Sequence, residues 1–224
     1  MREITFDLET TGLDPRSGHK IVEIGCVELI DKRVTGNSFH AYVNPQRDVP
    51  KAAEKVHGLS TEFLSNKPIF DDVVDEFLEF VKFDKLVIHN AAFDMGFINY
   101  QLKELSKPMF FNEQAIDTLQ MARKKYPGAK ASLDALCGRF DISLEQRKEE
   151  KHGALLDAQL LAEVYIHLTG GYQNSLNLGS TKAHTQQTVE HDASAPGKHH
   201  QPRHFPPTSE EIAAHTEFMR KISS

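Results

Sequence analysis

The first 43 residues of the chain contain three strand-like segments separated by short turn sequences. Residues 2–8, 20–30 and 34–43 are rich in apolar and β-branched side chains, and only residues 31–33 separate the second segment from the third. Such a short connection predicts that the second and third strands pair antiparallel as a hairpin. A sheet that begins in this way must be covered by the elements that follow, since its apolar side chains have to be buried.

The chain from residue 70 to about 170 is mostly helical in pattern. From Phe70 to Val81, apolar residues recur at i, i+3, i+4, i+7, i+8 and i+11, which predicts an amphipathic helix with one buried face. Leu86–Ile88 is a short buried strand. Further helices are expected over residues 92–105, 117–125, 132–139 and 153–168. This order predicts an α/β fold with a mixed central sheet flanked by helices.

The composition changes after Thr169. Gln, Asn, Ser, Thr, His and Pro predominate from there on, and six of the twelve histidines lie in this part. We predict a domain over residues 1–170 and a disordered linker over 171–207. Thr208 and Glu211 form a capping-box pattern, which predicts a short helix within a terminal segment over 208–224.

Charge and composition exclude several classes of protein. The net charge of -6 argues against a protein that coats DNA or RNA, because such proteins need a basic surface. It does not exclude an enzyme that handles one phosphodiester through metal ions. No apolar run reaches the roughly 20 residues that a transmembrane helix needs, and no signal-peptide pattern is present, so a cytoplasmic protein is expected. Two cysteines cannot build a disulfide framework.

Two carboxylates close to the N-terminus are the first candidate site residues. Asp7 and Glu9 are two positions apart at the end of a predicted strand, and Gly12 follows in the turn. Alternate residues of a strand point to the same side, so both carboxylates are expected to face one way. Adjacent carboxylates repel unless a cation lies between them, and oxygen-only ligands suit Mg²⁺ or Mn²⁺.

Two later segments supply further acids and a histidine. Asp94 is expected in the first turn of the helix after the buried strand 86–88, at an edge of the sheet where ligands gather. Asp157 is expected in the first turns of the last helix. His152 is five residues earlier, too far round a helix to face the same way, so we place it on the preceding loop. Four acids and one histidine at element ends predict a two-metal nuclease with a general base.

These segments resemble three motifs of a known family. Residues 7–12, 89–94 and 152–157 look like the ExoI, ExoII and ExoIII motifs of the DEDDh family of 3′–5′ exonucleases, in the same order along the chain. The resemblance implies a ribonuclease-H-like fold and two Mg²⁺ or Mn²⁺ ions. It implies that the ions are held by the four acids, with His152 as the catalytic base: Asp7, Glu9, Asp94 and Asp157.

Further stretches resemble the members of this family that proofread for bacterial replicative polymerases. These stretches are IVEIG, VHG, HNAAFD, SLDALC and HGALLDAQ. The likeness implies hydrolysis at a single-stranded 3′ DNA end, with the substrate contacted by four residues: Asp7, Glu9, His57 and Asp157.

The tail resembles partner-binding segments of the same proofreading proteins. Residues 173–178 look like a peptide that binds the sliding clamp, with Gln173, Leu176 and Leu178 as the contact residues. Residues 208–224 resemble a segment that binds the polymerase (alpha) subunit. A small accessory subunit of the theta type is a further partner that the resemblance implies.

Two other functions remain open at this point. One is an RNA-processing DEDDh exonuclease, and the other is a non-catalytic scaffold that bridges clamp and polymerase. Among the remaining polar residues, Glu23 is interpreted as a structural brace and Asp117 as a helix cap.

Overall fold

The computed structural model describes residues 1–145 and 152–170, together with Ser209 and His215. Five strands form one sheet: β1 (Arg2–Thr10), β2 (Ile21–Ile30), β3 (Arg33–Tyr42), β4 (Lys85–Ile88) and β5 (Ala115–Asp117). The helices described are α1 (Lys51–His57), α2 (Thr61–Ser65), α3 (Phe70–Val81), α4 (Ala91–Glu104), α5 (Thr118–Lys125), α6 (Leu133–Arg139) and α7 (Ala154–Leu168).

The sheet is mixed, as the sequence predicts. Its strand order is β3-β2-β1-β4-β5, with antiparallel pairing of β1 with β2 and of β2 with β3, and parallel pairing of β1 with β4 and of β4 with β5. Asp31 and Lys32 connect β2 to β3 with φ values of 49° and 62°. Two successive left-handed residues are the geometry of a tight hairpin turn, so the predicted hairpin is confirmed.

Helices cover both faces of the sheet. On one face, Phe77 of α3 packs on Phe6 of β1 and Phe39 of β3, with ring centroids 5.7 and 5.8 Å apart. On the other face α7 crosses β1 and β2, and Thr5 Oγ1 donates to the carbonyl oxygen of Ala158 at 2.8 Å. The predicted amphipathic helix 70–81 is confirmed at its stated ends.

Several elements differ from the sequence expectation. The first strand continues to Thr10 rather than ending at residue 8, because its pairing with β2 extends to Thr10 opposite Ile21. Three elements were not predicted: α1, α2 and β5. They have seven, five and three residues, which is too short for a hydrophobic period to be recognised.

The chain divides into two units, Met1–Leu176 and Asn177–Ser224. The predicted linker 171–207, the clamp peptide and nearly all of the segment 208–224 lie outside the described residues, so the predicted domain boundaries stay predictions. Ser209 and His215 are both helical and exposed. In the part of the chain that the structure describes, no helix is both long and apolar enough to cross a bilayer.

Candidate active site

The first two acids lie on one face of β1. Asp7 and Glu9 are both half-buried. Thr5 lies on the same face and is bonded to Ala158 of α7, which identifies the face that α7 covers. Leu8 points to the opposite face, where it is buried in the core under α3 and α4. The alternation of the strand therefore directs both carboxylates toward α7.

The third acid enters from α4. Asn90 adopts a left-handed φ of 72° between β4 and α4, and Asp94 lies in the first turn of the helix. Its Oδ1 accepts a hydrogen bond from the backbone N–H of Leu8 at 3.1 Å. Strand β4 pairs with β1 over Glu3–Thr5, and beyond that point α4 takes its place beside β1. Asp94 thus reaches past the end of β4 to the end of β1.

Burial changes the chemistry of Asp94. Its side chain is 3% exposed, and this loss of solvent raises the pKa of the carboxyl to about 8. The negative charge of Asp117 raises the pKa further, whereas hydrogen bonds from the N–H groups of Asp94 itself and of Leu8 lower it. Asp94 is therefore mostly protonated at neutral pH unless a cation beside it favours the ionised form.

The fourth acid and the histidine meet at the start of α7. Gly153 precedes the helix in an extended conformation, and Asp157 lies in the first turn, where it is buried. His152 lies on the turn before the helix, as expected, and its Nδ1 is 3.3 Å from Asp157 Oδ2. The His152 side chain is 43% exposed, so a substrate can reach it from solvent.

Three of these side chains offer ligand atoms around a common point. One atom each from Glu9, His152 and Asp157 lies within 4.8 Å of the other two. The sequence predicts the metal set Asp7, Glu9, Asp94 and Asp157. The structure brings Glu9 and Asp157 together with His152. Asp94 is held at the backbone of β1. Carboxylate oxygens are the donors that Mg²⁺ and Mn²⁺ prefer, so these residues fit such ions.

His57 lies beside this group, at the end of α1. It is the last residue of the helix and is buried, and Gly58 ends the helix with a φ of 81°. Its Nδ1 accepts a hydrogen bond from the N–H of Leu59 at 3.0 Å. Because Nδ1 is the acceptor, the neutral imidazole carries its proton on Nε2. His57 lines the same cleft as Glu9, which is compatible with the predicted substrate contact.

A cleft of about 630 Å³ opens beside Glu9. Leu13 and Val56 line the cleft and are 86% and 51% exposed, and Phe93 at the start of α4 lines the same space. Apolar side chains next to a group of acids suit a flat base attached to a phosphate. The sequence did not reveal these three residues, because single apolar residues in turns and short helices carry no periodic signal.

The turn after β1 is packed against a histidine. Thr11 Oγ1 accepts a hydrogen bond from the N–H of Lys20 at 3.0 Å and lies 3.1 Å from His19 Nδ1. A Cβ on Gly12 would lie 2.3 Å from Cε1 of the His19 ring, so a larger residue would displace the ring. Glycine at this position lets the turn lie close to the cleft wall, of which His19 is a part.

The sequence is similar to exonucleases along most of its length. A family model described as an exonuclease matches residues 4–165. The DNA polymerase III subunit epsilon of Rickettsia felis is 46% identical over 226 residues, which cover 99% of this chain and 97% of that protein. The protein of the same name from Salmonella typhimurium is 50% identical over 178 residues, which cover 76% of this chain and 72% of that protein.

Solved structures share the fold. Exonuclease X, in complex with 5′ overhanging duplex DNA, matches with a TM-score of 0.60 and 27% identity over 75% of this chain and 90% of that chain. The nuclease domain of 3′hExo, a DEDDh family member bound to rAMP, matches with a TM-score of 0.64 over 75% of this chain and 91% of that chain. Because the two sequences are only 17% identical, this match shows a shared fold and nothing about function. The chain shares the fold of a DEDDh nuclease domain, and it belongs to the exonuclease family and, within it, to the DNA polymerase III epsilon subunits.

Proposed function

We propose that this exonuclease proofreads for a bacterial replicative DNA polymerase, removing mispaired nucleotides from a single-stranded 3′ end as nucleoside 5′-monophosphates. The observation that carries the proposal is the group of Glu9, His152 and Asp157, which offer ligand atoms within 4.8 Å of one another beside an apolar cleft. Similarity over nearly the full chain to proteins named DNA polymerase III subunit epsilon supports DNA as the substrate.

The acids of the site would hold two divalent cations, Mg²⁺ or Mn²⁺. The residues assigned to them are Asp7, Glu9, Asp94 and Asp157. Bound cations would make the attacking water more acidic and offset the negative charge that develops on the leaving 3′ oxygen. Asp94 is compatible with this assignment, because a cation beside its buried carboxyl would favour the ionised form.

His152 is assigned as the general base. In this assignment Nδ1–H donates to Asp157 Oδ2, across the observed 3.3 Å, which orients the ring. Nε2 then accepts the proton of the attacking water, and an imidazole suits this role because it changes protonation near neutral pH. The exposure of the side chain allows the proton to pass on to solvent after each cycle.

The proposed substrate contacts are the acids of the site together with residues that line the cleft. Asp7, Glu9 and Asp157 would hold the cations that offset the charge of the scissile phosphate, and His57, which lines the cleft with Glu9, would donate its Nε2–H to the terminal nucleotide. Leu13 and Val56 offer apolar surface to the base. Apolar surface beside the acids suits the exposed base of an unpaired strand, which is what a mismatch presents at the primer end.

The decisive experiment compares DNA with RNA of the same sequence. We expect the full chain to release mononucleotides from the 3′ end of 5′-labelled single-stranded DNA only when Mg²⁺ or Mn²⁺ is present, and faster from a mispaired than from a paired primer. Asp7→Ala removes this activity, and Asp75→Asn, at a surface acid that is 75% exposed, retains it. His152→Ala loses most of the cleavage activity, and its binding of cations and DNA stays largely intact.

The same assay separates the alternatives. Faster degradation of RNA than of DNA would favour an RNA-processing exonuclease. Wild-type protein that releases no mononucleotide with either cation would favour a non-catalytic scaffold. Full activity of Asp7→Ala would contradict the assignment of the site.

The partners proposed for this chain belong to the bacterial replication machinery in the cytoplasm. The spacing of Gln173, Leu176 and Leu178 supports binding to the sliding clamp, and residues 208–224 support binding to the polymerase (alpha) subunit. A theta-type subunit is a third proposed partner. Two partner sites on one tail would raise the effective concentration of the nuclease at the primer end.

Truncation tests these partners separately from catalysis. A chain that ends at Gly171 should keep its nuclease activity on free DNA and lose co-elution with the polymerase subunit. Leu176→Ala with Leu178→Ala should lose binding to the clamp, whereas Asn174→Ala should keep it. Co-elution of the truncated chain with the polymerase would contradict the role of the tail.

A further inference from the structure

A buried acid that the mechanism does not use lies next to the active site. In the pairing of β1 with β2, Glu23 is directly opposite Glu9, so both side chains point to the face that α7 covers. The Glu23 side chain is 3% exposed. Like charges at opposite positions of neighbouring strands are destabilising, so Glu23 occupies this position in spite of the repulsion from Glu9.

His40 of β3 holds this acid. His40 is opposite Gly25 in the pairing of β2 with β3 and therefore lies on the same face as Glu23. Its Nε2–H donates to Glu23 Oε1 at 2.8 Å. The His40 ring is itself packed edge-on against Tyr42, with centroids 4.7 Å apart. The carboxylate of Glu23 is therefore fixed from the side away from Glu9.

The turn that carries His152 rests on this pair. The Oε1 atom of Glu23 lies 3.8 Å from the point that a Cβ of Gly153 would occupy. A Cβ on Gly25 would lie 2.2 Å from the carbonyl group of Ala154, so the backbone at the start of α7 lies directly on β2. A negative charge at the N-terminal end of a helix is also favoured by the helix dipole.

We propose that Glu23, held by His40, is a positioning residue for hydrolysis: it fixes the Gly153 turn and thereby the imidazole of His152 relative to Glu9 and Asp157. The inference rests on the proposed function, since it concerns the residue assigned as the base. A catalytic group displaced by about 1 Å can lose on the order of 100-fold in rate. Loosening the turn should therefore lower kcat without removing any group that contacts the substrate.

The first test is kinetic, on single-stranded DNA with saturating Mg²⁺. Glu23→Ala and His40→Ala should each lower kcat by about 10- to 100-fold and leave KM close to its wild-type value. The double variant should be no slower than the slower single variant, because both changes remove the same support. Glu23→Gln keeps an oxygen acceptor for His40 and should recover most of kcat.

A second test asks whether the effect passes through His152. In the residual activity of a His152→Ala protein, adding Glu23→Ala should cause no further loss of kcat. Independently of activity, the imidazole resonances of His152 in NMR spectra of the metal-free protein should shift and broaden in Glu23→Ala.

Glu28 provides a matched control on the same strand. It is also a buried acid of β2 bonded to side chains of neighbouring strands, but its partners Arg2, Thr35 and Asn37 lie at the other end of the sheet. Glu28→Ala should lower stability while kcat and the His152 resonances stay at their wild-type values.

The outcomes are distinguishable. Wild-type kcat in Glu23→Ala, an equal loss in Glu28→Ala, or a further loss in the His152→Ala background would each overturn the positioning role. Inactive wild-type protein would contradict the proposed function, and the NMR comparison would still decide whether Glu23 holds His152. If Glu23→Ala does not fold, His40→Ala and Glu23→Gln provide the same comparison.

Discussion

The carboxylate of Asp94 is hydrogen-bonded to the backbone N–H of Leu8, the residue between the acids Asp7 and Glu9 on β1. One contact thus joins the first turn of α4 to the strand that carries two other acids of the site. Because the N–H is part of a strand, its position is fixed by the sheet. The relative placement of three acids therefore depends on backbone geometry, and a change at Asp94 can remove its ionisable group without moving the others.

We expect Asp94→Asn to reduce the pH dependence of stability and to abolish nuclease activity. The native pKa of about 8 lies far above that of an exposed aspartate, about 3.9, so the native state binds an additional proton between these values. The stability contributed by this group is complete below about pH 4 and is lost as the pH rises through about 8. An amide does not titrate and still accepts the Leu8 N–H. Urea denaturation of the metal-free protein at several pH values between these limits measures the effect.

Asp75→Asn is the control for this prediction, because Asp75 is a surface acid of α3. It should retain the wild-type slope of stability against pH, and added Mg²⁺ should stabilise it as it stabilises the wild type. Asp94→Asn should respond less to Mg²⁺ and lose at least about 100-fold in activity, since it would lack one of the proposed metal ligands. The same slope in all three proteins would show that Asp94 is not protonated in the native state.

Glu28 should titrate in the opposite direction. Hydrogen bonds from Arg2, Thr35 and Asn37 lower the pKa of Glu28 to about 2. Burial of the carboxyl acts in the opposite direction and raises its pKa, but by less. A lowered carboxyl pKa contributes stability that is present above about pH 4.5 and is lost as the pH falls through 2. Glu28→Gln should cost about 1.5–3 kcal/mol of unfolding free energy at pH 7, and less as the pH approaches 2. Denaturation curves at pH 7 and pH 3 check this, and a constant difference between the two proteins would contradict it.

An ion pair between buried Glu3 and half-buried Lys32 on the α7 face should contribute strongly to folding. Glu3 is fully buried, Lys32 Nζ lies 2.5 and 2.6 Å from its two carboxylate oxygens, and Tyr165 Oη donates to it at 2.7 Å. Lys32→Met leaves the carboxylate without its cation and should cost about 3–5 kcal/mol. Glu3→Gln combined with Lys32→Met should regain most of this loss. Urea denaturation measures both, with Lys51→Met as the control.

Lys51 is suitable because its ion pair with Glu54 is on the surface, where the lysine side chain is 90% exposed. Removing it should change the unfolding free energy by less than about 1 kcal/mol. Equal losses in Lys32→Met and Lys51→Met would mean that burial does not strengthen the dependence of Glu3 on its partner.

The longer elements of the fold could be predicted because burial repeats along their sequence. Helix α3 shows a buried residue at every turn, and the hairpin of β2 and β3 is marked in the sequence by the short connection over residues 31–33. Helix α2 and strand β5 are shorter than the stretch over which a hydrophobic period can be recognised. Their positions depend on packing against residues that are distant in the sequence.

The acids could be located along the chain, but their grouping could not be derived from local pattern. Asp94 reaches Leu8 because β4 stops pairing with β1 after Thr5 and Asn90 turns the chain into α4. Neither fact is visible in a hydrophobic period. The sequence indicated that Glu23 is a structural brace but not which residue it contacts. Its partner His40 is 17 residues away, on the next strand.

Gly25 is the position where we expect a single added methyl group to move Asp157 of α7 away from Glu9 of β1. Its Cβ would lie 2.2 Å from the Ala154 carbonyl and 2.3 Å from the Leu155 nitrogen, distances that backbone atoms cannot accept. Gly25→Ala must therefore push the start of α7 away from β2 and move Asp157 from Glu9. We expect lower stability and a loss of activity of at least about 100-fold, because a shift of 1 Å is enough for that.

Gly138→Ala is the matched control for this last prediction. Gly138 is an exposed residue of α6 with no atom within 4 Å of the Cβ position. Alanine is favoured over glycine inside a helix, so this change should raise the unfolding free energy by about 0.5–1 kcal/mol and leave activity unchanged. Thermal denaturation and the single-stranded DNA assay report both quantities. Activity near wild type in Gly25→Ala would mean that the contact of α7 with β2 does not set the distance between the acids.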